Sequence, residues 1–305
     1  MGGNLEIKNL TKNMGKFILS NISFTAYPGE ILGIIGVNGS GKTTLIRTII
    51  GAYKFDDGSI KFGDFDSYEN QKEYRCKLAY VMEKSPFSPS YRAKEIGELY
   101  GPYYSGFDMD KYMKLLAEYD ILPSDKLNSL SKGQKIKQQI AFAMSYDAEC
   151  FIFDEPTGNL DVDYRDEFYE MMRNVVANEE NVVLYATHLV DELEYIADRI
   201  LWMERVRVGD SEKDEDKENG ANGWVGRVKC FMSIDELKDS FRVIEAPEEI
   251  LKQVPSEMII SKNTSEIHSE VMVDLREGEI PTELEKYARM AELREIMYHI
   301  ETGEE

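Results

Sequence analysis

Eight consecutive residues, Gly36-Val37-Asn38-Gly39-Ser40-Gly41-Lys42-Thr43, constrain this chain more than any other stretch. They follow a short apolar run, Glu30 to Gly36, and precede Thr44-Leu45-Ile46, the start of a helical pattern. Glycines at the spacing G-x-x-x-x-G-K-[ST] let backbone N–H groups curl around a phosphate with no side chain in the way, and the helix that follows adds partial positive charge. In that arrangement Gly36, Asn38, Gly39, Ser40, Gly41 and Thr44 form a phosphate cradle. Lys42 then reaches the β- and γ-phosphates of a nucleoside triphosphate such as ATP, and the Thr43 hydroxyl ligates Mg²⁺. A strand feeding such a loop and helix calls for an α/β fold with parallel strands.

A second run has the complementary chemistry. Phe151-Ile152-Phe153-Asp154-Glu155 reads as a buried strand ending in two carboxylates. One acid is then placed for the magnesium shell and the next beside an attacking water. Val182-Val183-Leu184-Tyr185 is another continuous apolar run, and Thr187-His188 follows it, where an imidazole reaches the γ-phosphate. Open α/β sheets bind ligands at the carboxyl ends of their strands.

The surrounding chain reads as follows. Leu5 to Leu10 and Ile18 to Tyr27 are expected strands, and Asp57-Gly58-Ser59-Ile60 looks like a tight hairpin turn. From Ala93 to about Tyr146 the pattern is helical, with Tyr112, Leu115, Leu116 and Tyr119 on one stripe. The segment 209–222, GDSEKDEDKENGAN, is polar and charged and is expected to be a mobile loop. Phe241 to Ile244, Met258 to Ile260 and Val271 to Leu275 alternate with turns. A capping box at Thr282 and Glu285 then predicts a helix with Leu284, Tyr287, Ala288 and Ala291 on one face.

Composition narrows the function classes. With 42% hydrophobic residues the chain can bury a substantial core, and a net charge of −21 opposes binding to nucleic acid, which needs clustered Lys and Arg. No stretch approaches the roughly 18 apolar residues of a membrane-spanning helix, so the expected place is the cytoplasm, with any membrane attachment through a partner. Cys76, Cys150 and Cys230 are widely separated and form no CxxC pair, which points to reduced thiols.

These motifs together resemble the nucleotide-binding subunit of ATP-binding-cassette (ABC) transporters. Leu130-Ser131-Lys132-Gly133-Gln134 resembles the family's signature motif, Gly158-Asn159-Leu160-Asp161 its D-loop, and His188 its switch histidine, all in the family's order. Similarity runs from about Leu5 to Leu237. The resemblance implies a phosphate-loop cassette over 1–240, with a RecA-like core, an antiparallel β subdomain and a helical subdomain at about 88–145. The acidic run at about 209–222 is then an insertion, and 241–305 is a small C-terminal α+β appendage.

In the family two cassettes stack head to tail. Carried over by position, Ser131, Gly133 and Gln134 contact the partner subunit's ATP, Asp161 lies at the seam, and Glu155 is the general base. Three positions depart from the pattern. Met14 stands where an aromatic residue stacks on adenine, with Phe17 close enough to substitute. Glu83 replaces the Q-loop glutamine and can ligate Mg²⁺ as an oxygen donor. Lys132 replaces a signature glycine and either faces solvent or assists the partner's phosphates.

The implied function is the ATP-hydrolysing motor of a transporter, closest to single-cassette ABC-2-type exporters. Its implied partners are a separate membrane permease and a second cassette, identical or different, and its implied place is the inner face of the cell membrane. A soluble cassette protein acting on the ribosome or DNA, or a regulatory ABC protein with little turnover, is the alternative; the acidic charge opposes the first and the intact Glu155 and His188 the second.

Overall fold

A computed structural model describes residues 2–160, 162–207, 223–264 and 269–302. Asp161 and the acidic segment 209–222 lie outside the described residues. The chain packs as two compact units, Met1–His188 with Arg199–Phe231, and Leu189–Asp198 with Met232–Glu305. This division by packing cuts the chain at other places than the 240/241 boundary expected from the motifs.

In the first unit, Leu5–Asn13 (β1) and Phe17–Ala26 (β2) pair antiparallel, with buried and exposed residues alternating over Ser20–Phe24 of β2 and only partly in β1. Ile31–Ile35 (β3) is buried throughout and leads through the glycine loop into Lys42–Ile49 (α1). Asp57–Phe62 (β4) pairs with β1 and turns at Gly63 into Phe65–Asp66 (β5). The expected hairpin turn at 57–60 is therefore a strand instead. Gly58 is needed for another reason: a Cβ there would collide with the carbonyl oxygens of Lys8 and Asn9 on the neighbouring strand.

Gln71–Cys76 (α2) precedes Leu78–Met82 (β6), and Cys150–Asp154 (β7), Val182–Ala186 (β8) and Arg199–Arg207 (β9) add to the parallel group. β3, β7 and β8 are buried on both faces, which is why they read as unbroken apolar runs. With Trp224–Ser233 (β10) the sheet has ten strands in the order β5-β4-β1-β2-β10-β9-β3-β8-β7-β6. Leu32, Ile34, Leu45, Ile46, Ile49, Ile152 and Leu184 belong to one core beneath the glycine loop. Burial of each such side chain contributes on the order of 1.5–3 kcal/mol, so the loop rests on a stiff base.

Between β6 and β7 lie Ala93–Tyr100 (α3), Met109–Glu118 (α4) and Lys132–Ala143 (α5). Aromatic rings bind them: Phe142 meets Tyr112 edge-on at 6.0 Å and Tyr104 at 5.5 Å. The buried Tyr112 hydroxyl donates to the Ala93 carbonyl at 2.8 Å and accepts from Gln138 Nε2 at 2.9 Å, so its polar end is satisfied. Val162–Val176 (α6) follows β7.

The second unit contains Val190–Ile196 (α7), Ile234–Ser240 (α8), Phe241–Glu245 (β11), Glu248–Leu251 (α9), Ile259–Thr264 (β12), Ser269–Asp274 (β13), Ala288–Met290 (β14) and Leu293–Thr302 (α10). Its antiparallel sheet runs β12-β13-β11-β14 over a core of Ile244, Met258, Val271, Val273 and Leu284. α10 packs on α7 and β12. The helix expected across 282–291 is not formed. Glu285–Tyr287 makes one 3-10 turn, and Ala288 and Met290 pair with Ile244 and Arg242, so sheet pairing overrides the local helical pattern. No helix among the described residues is long and apolar enough to cross a membrane.

Candidate functional site

Four parallel strands deliver the chemistry to their carboxyl ends. From β3 comes the glycine loop, in which Ser40 donates its N–H to the Val37 carbonyl at 3.0 Å. Gly41 occupies the N-cap of α1 at φ 106°, a left-handed backbone that disfavours any side chain, and no side chain caps the helix. The first-turn N–H groups of α1 therefore stay available for an anion. Lys42 is buried and its ammonium donates to the Gly36 carbonyl at 2.6 Å. Burial lowers its pKa, while the charges of Glu155 and Asp154 act against that shift. Ser40 Oγ is buried without a hydrogen-bond partner among the described residues. A polar atom left in that state beside the loop fits a site completed by a polar ligand.

From β7 come Asp154 and Glu155. Asp154 is only 4% exposed, and it accepts from the Thr43 hydroxyl at 3.4 Å. Burial pushes its carboxyl up to about 6, with the Glu155 charge adding to the rise and the Thr43 hydrogen bond opposing it. Glu155 has φ 52°, the left-handed region, and its N–H donates to the Ala186 carbonyl of β8 at 2.9 Å. A non-glycine residue held there carries strain, and here the strained backbone stands at the carboxyl end of β7 among the converging groups.

From β8 comes His188, whose Nδ1 lies 2.7 Å from Glu155 Oε2. From β6 comes Glu83, with its N–H on the Asp154 carbonyl at 3.1 Å. β6 is the edge strand, and Gln139 of α5 takes the role of a further strand beside it. Its Oε1 accepts from Met82 N–H at 3.1 Å and its Nε2 donates to the Met82 carbonyl at 3.0 Å.

A cleft of about 910 Å³ joins these ends. Asn38, Gly39, Gly41, Lys42, Thr43, Thr44, Glu83, Glu155 and His188 all line it, as do Met14 and Phe17. Gly36, Ser40 and Asp154 stand just behind that lining. Ser131, Gly133 and Gln134 do not line it. They form the head of α5, where Ser131 Oγ accepts from Gln134 N–H and Gln134 Oε1 accepts from Ser131 N–H, each at 3.1 Å, a reciprocal cap. Asp161 lies outside the described residues.

The sequence reading missed Lys16, Arg205 and Trp224 in the cleft lining, and Gln139 behind Glu83. Trp224 is one of only two tryptophans in the chain, a signal that was available.

Thr43 and Asp154 supply hard oxygen donors, as Mg²⁺ requires. Among the described residues no group of three or more His, Cys, Asp or Glu forms a cation cage. That donor set fits a cation arriving with phosphate oxygens and water as its remaining ligands.

A glycine loop at the end of a central parallel strand, with carboxylates and an imidazole converging from its neighbours, defines a phosphate-loop nucleoside-triphosphate-binding domain. A family profile described as ABC transporter matches residues 19–158. The chain is 31% identical over 205 residues to the ABC transporter ATP-binding protein YtrB of Bacillus subtilis (strain 168), an alignment covering 66% of this chain and 68% of that protein. It is 28% identical over 209 residues to the Nod factor export ATP-binding protein I of Burkholderia lata, covering 67% and 68% respectively. A solved ATP-binding cassette, described as dimeric in a post-hydrolysis state with ADP and Pi, shares the fold. Its TM-score is 0.59 at 23% identity, over 75% of this chain and 98% of that one. The chain belongs to the ATP-binding proteins of ABC transporters, and its activity is that of an ATPase.

Proposed function

We propose that this chain is the motor subunit of an exporter, working as one of two cassettes against a separate membrane permease. The observation that carries the reading is the convergence of Lys42, Thr43, Glu155 and His188 on one cleft, with Asp154 hydrogen-bonded to Thr43, while the signature residues stand elsewhere on the head of α5. A cleft furnished in this way lacks only the cover that a second cassette supplies.

The division of labour follows from the geometry. Lys42 and the loop N–H groups grip the phosphates of ATP. Glu155 accepts the proton of the attacking water, and His188 Nδ1 fixes the carboxylate that does so. A Mg²⁺ ion held by Thr43 and Asp154, with Glu83 nearby as a further oxygen donor, would supply charge neutralisation at the β- and γ-phosphates.

Across the dimer, the N-terminal end of α5 faces the partner's ATP. The Gln134 N–H is taken by Ser131 Oγ, so the N–H groups of Lys132 and Gly133 are the donors at that helix head. Asp161 belongs at the seam on sequence grounds. Both halves of the composite site are present in this chain, so a homodimer is permitted alongside a heterodimer. The Nod factor relative's name supports export, and the net charge of −21 opposes a nucleic-acid partner. Attachment to the inner face of the cell membrane follows from docking on the permease.

Affinity purification of the tagged chain from detergent-solubilised cells tests this reading. An integral membrane protein is expected to copurify in stoichiometric amount. Recovery with ribosomes or DNA instead would overturn it.

A further inference from the structure

The cleft has two chemically different ends. One holds Lys42, Thr43, Glu83, Glu155 and His188, and the other is lined by Met14, Lys16, Phe17, Arg205 and Trp224. The β1–β2 turn and the first residues of β10 build this second end together. Met14 donates its N–H to the Phe17 carbonyl at 2.8 Å, Trp224 donates its N–H to the Lys16 carbonyl at 3.1 Å, and Trp224 sits in register with Phe17.

The three apolar side chains here are not equivalent. Phe17 is committed to packing: a Cβ at Gly41 would lie 2.8 Å from its ring and one at Gly226 would lie 2.6 Å from it, so both glycines are moulded around it. Met14 is a flexible thioether, 45% exposed. Trp224 is 38% exposed, and its indole is covered by the Arg205 guanidinium at 3.9 Å. That guanidinium also borders the phosphate loop, since a Cβ at Gly39 would stand 3.1 Å from Arg205 Nη1. Among the described residues no carboxylate pairs with Arg205.

We propose that Trp224 is the aromatic platform for the nucleotide base, and that Arg205, held over its ring, carries a cation from that platform to the polyphosphate. The base lies over the indole, the thioether of Met14 closes the same end, and Arg205 bridges the base subsite to the loop at Gly39. The stacking function displaced from position 14 is thus carried by a residue more than two hundred positions later, brought to the loop by the pairing of β10 with β2. This inference rests on the nucleotide occupying the phosphate loop.

The test uses the full chain with Trp224→Phe and Trp224→Ala. Binding of ATP and of inorganic tripolyphosphate is measured by calorimetry, with tryptophan emission followed in parallel. Trp202, the other tryptophan, is buried and serves as the unchanging reference. In the parent chain ATP should quench emission. Trp224→Phe should lose the quench yet keep ATP affinity within about threefold, because a phenyl ring still stacks. Trp224→Ala should weaken ATP by about five- to a hundredfold, the range of base–aromatic stacking, while tripolyphosphate binding holds within about threefold. Unchanged ATP affinity in Trp224→Ala, or an undiminished quench in Trp224→Phe, overturns the proposal. If the parent chain binds neither ATP nor tripolyphosphate, the phosphate-loop reading falls and takes this inference with it.

Discussion

His188 Nδ1 stands 2.7 Å from Glu155 Oε2, so the second residue past one buried strand holds the carboxylate delivered by its neighbour, the proposed base. The contact fixes which way the Glu155 carboxylate points. His188→Ala should therefore lower turnover by about a hundredfold through misplacement of the base, with ATP affinity changed far less. Steady-state phosphate release beside equilibrium ATP binding separates the two. Equal losses in both would place His188 in binding alone.

The left-handed backbone of Glu155 makes its own prediction. Glu155→Ala and Glu155→Gly both remove the carboxylate, but only glycine accepts φ 52° without strain. The glycine variant should be the more stable of the two by about 1 kcal/mol in urea unfolding, against the usual order in which glycine is the weaker residue. If alanine is as stable or better, the backbone at 155 is not held in that conformation.

Asp154 ties stability to pH. Its folded pKa is raised from 3.8 to about 6, so between those values the native state binds a proton that the unfolded chain has released. The resulting destabilisation is fully present above pH 6 and fades as pH falls towards 4. Without nucleotide, Asp154→Asn should be more stable than the parent by on the order of 1–3 kcal/mol at pH 8, and the gap should close by pH 4. A gap independent of pH would show that the carboxylate is not strained by burial.

Gln139 clamps both backbone groups of Met82 immediately before Glu83. Leucine at 139 keeps the volume but leaves a buried N–H and C=O unpaired, at a cost of about 1–3 kcal/mol in denaturant unfolding. Because the lost partners fix the end of β6, hydrogen exchange at Glu83 should accelerate in Gln139→Leu more than at Ile152 in the middle of β7. Uniform acceleration would make the residue a general core contact.

The phosphate loop and the ends of β7 and β8 were legible because strands buried on both faces write themselves as unbroken apolar runs with functional residues just past them. Where one residue type serves two purposes, the reading failed. Gly58 looked like turn chemistry and is instead a close approach to β1. The stretch 282–291 has a helical face, but β11 claims Ala288 and Met290 as sheet partners. The rarity of tryptophan marks Trp224, but neither it nor Arg205 can be placed at the loop from local sequence, since only the neighbouring positions of β9, β10 and β2 in the sheet bring them there. Gln139 was hidden for the same reason, as a helix residue completing the edge of a distant strand.

Glu155→Gln tests at once the assignment of Glu155 as the base and the completion of its site by a second cassette. The amide keeps the shape and removes the base and one negative charge beside the triphosphate. Turnover should fall by at least about a hundredfold, while Lys42, Thr43 and the loop amides still bind ATP. With hydrolysis blocked, size-exclusion chromatography in ATP and Mg²⁺ should show a dimer that disappears when Lys42→Ala is added. Near-normal hydrolysis by Glu155→Gln, or a chain that binds ATP without turnover yet stays monomeric, would contradict the account.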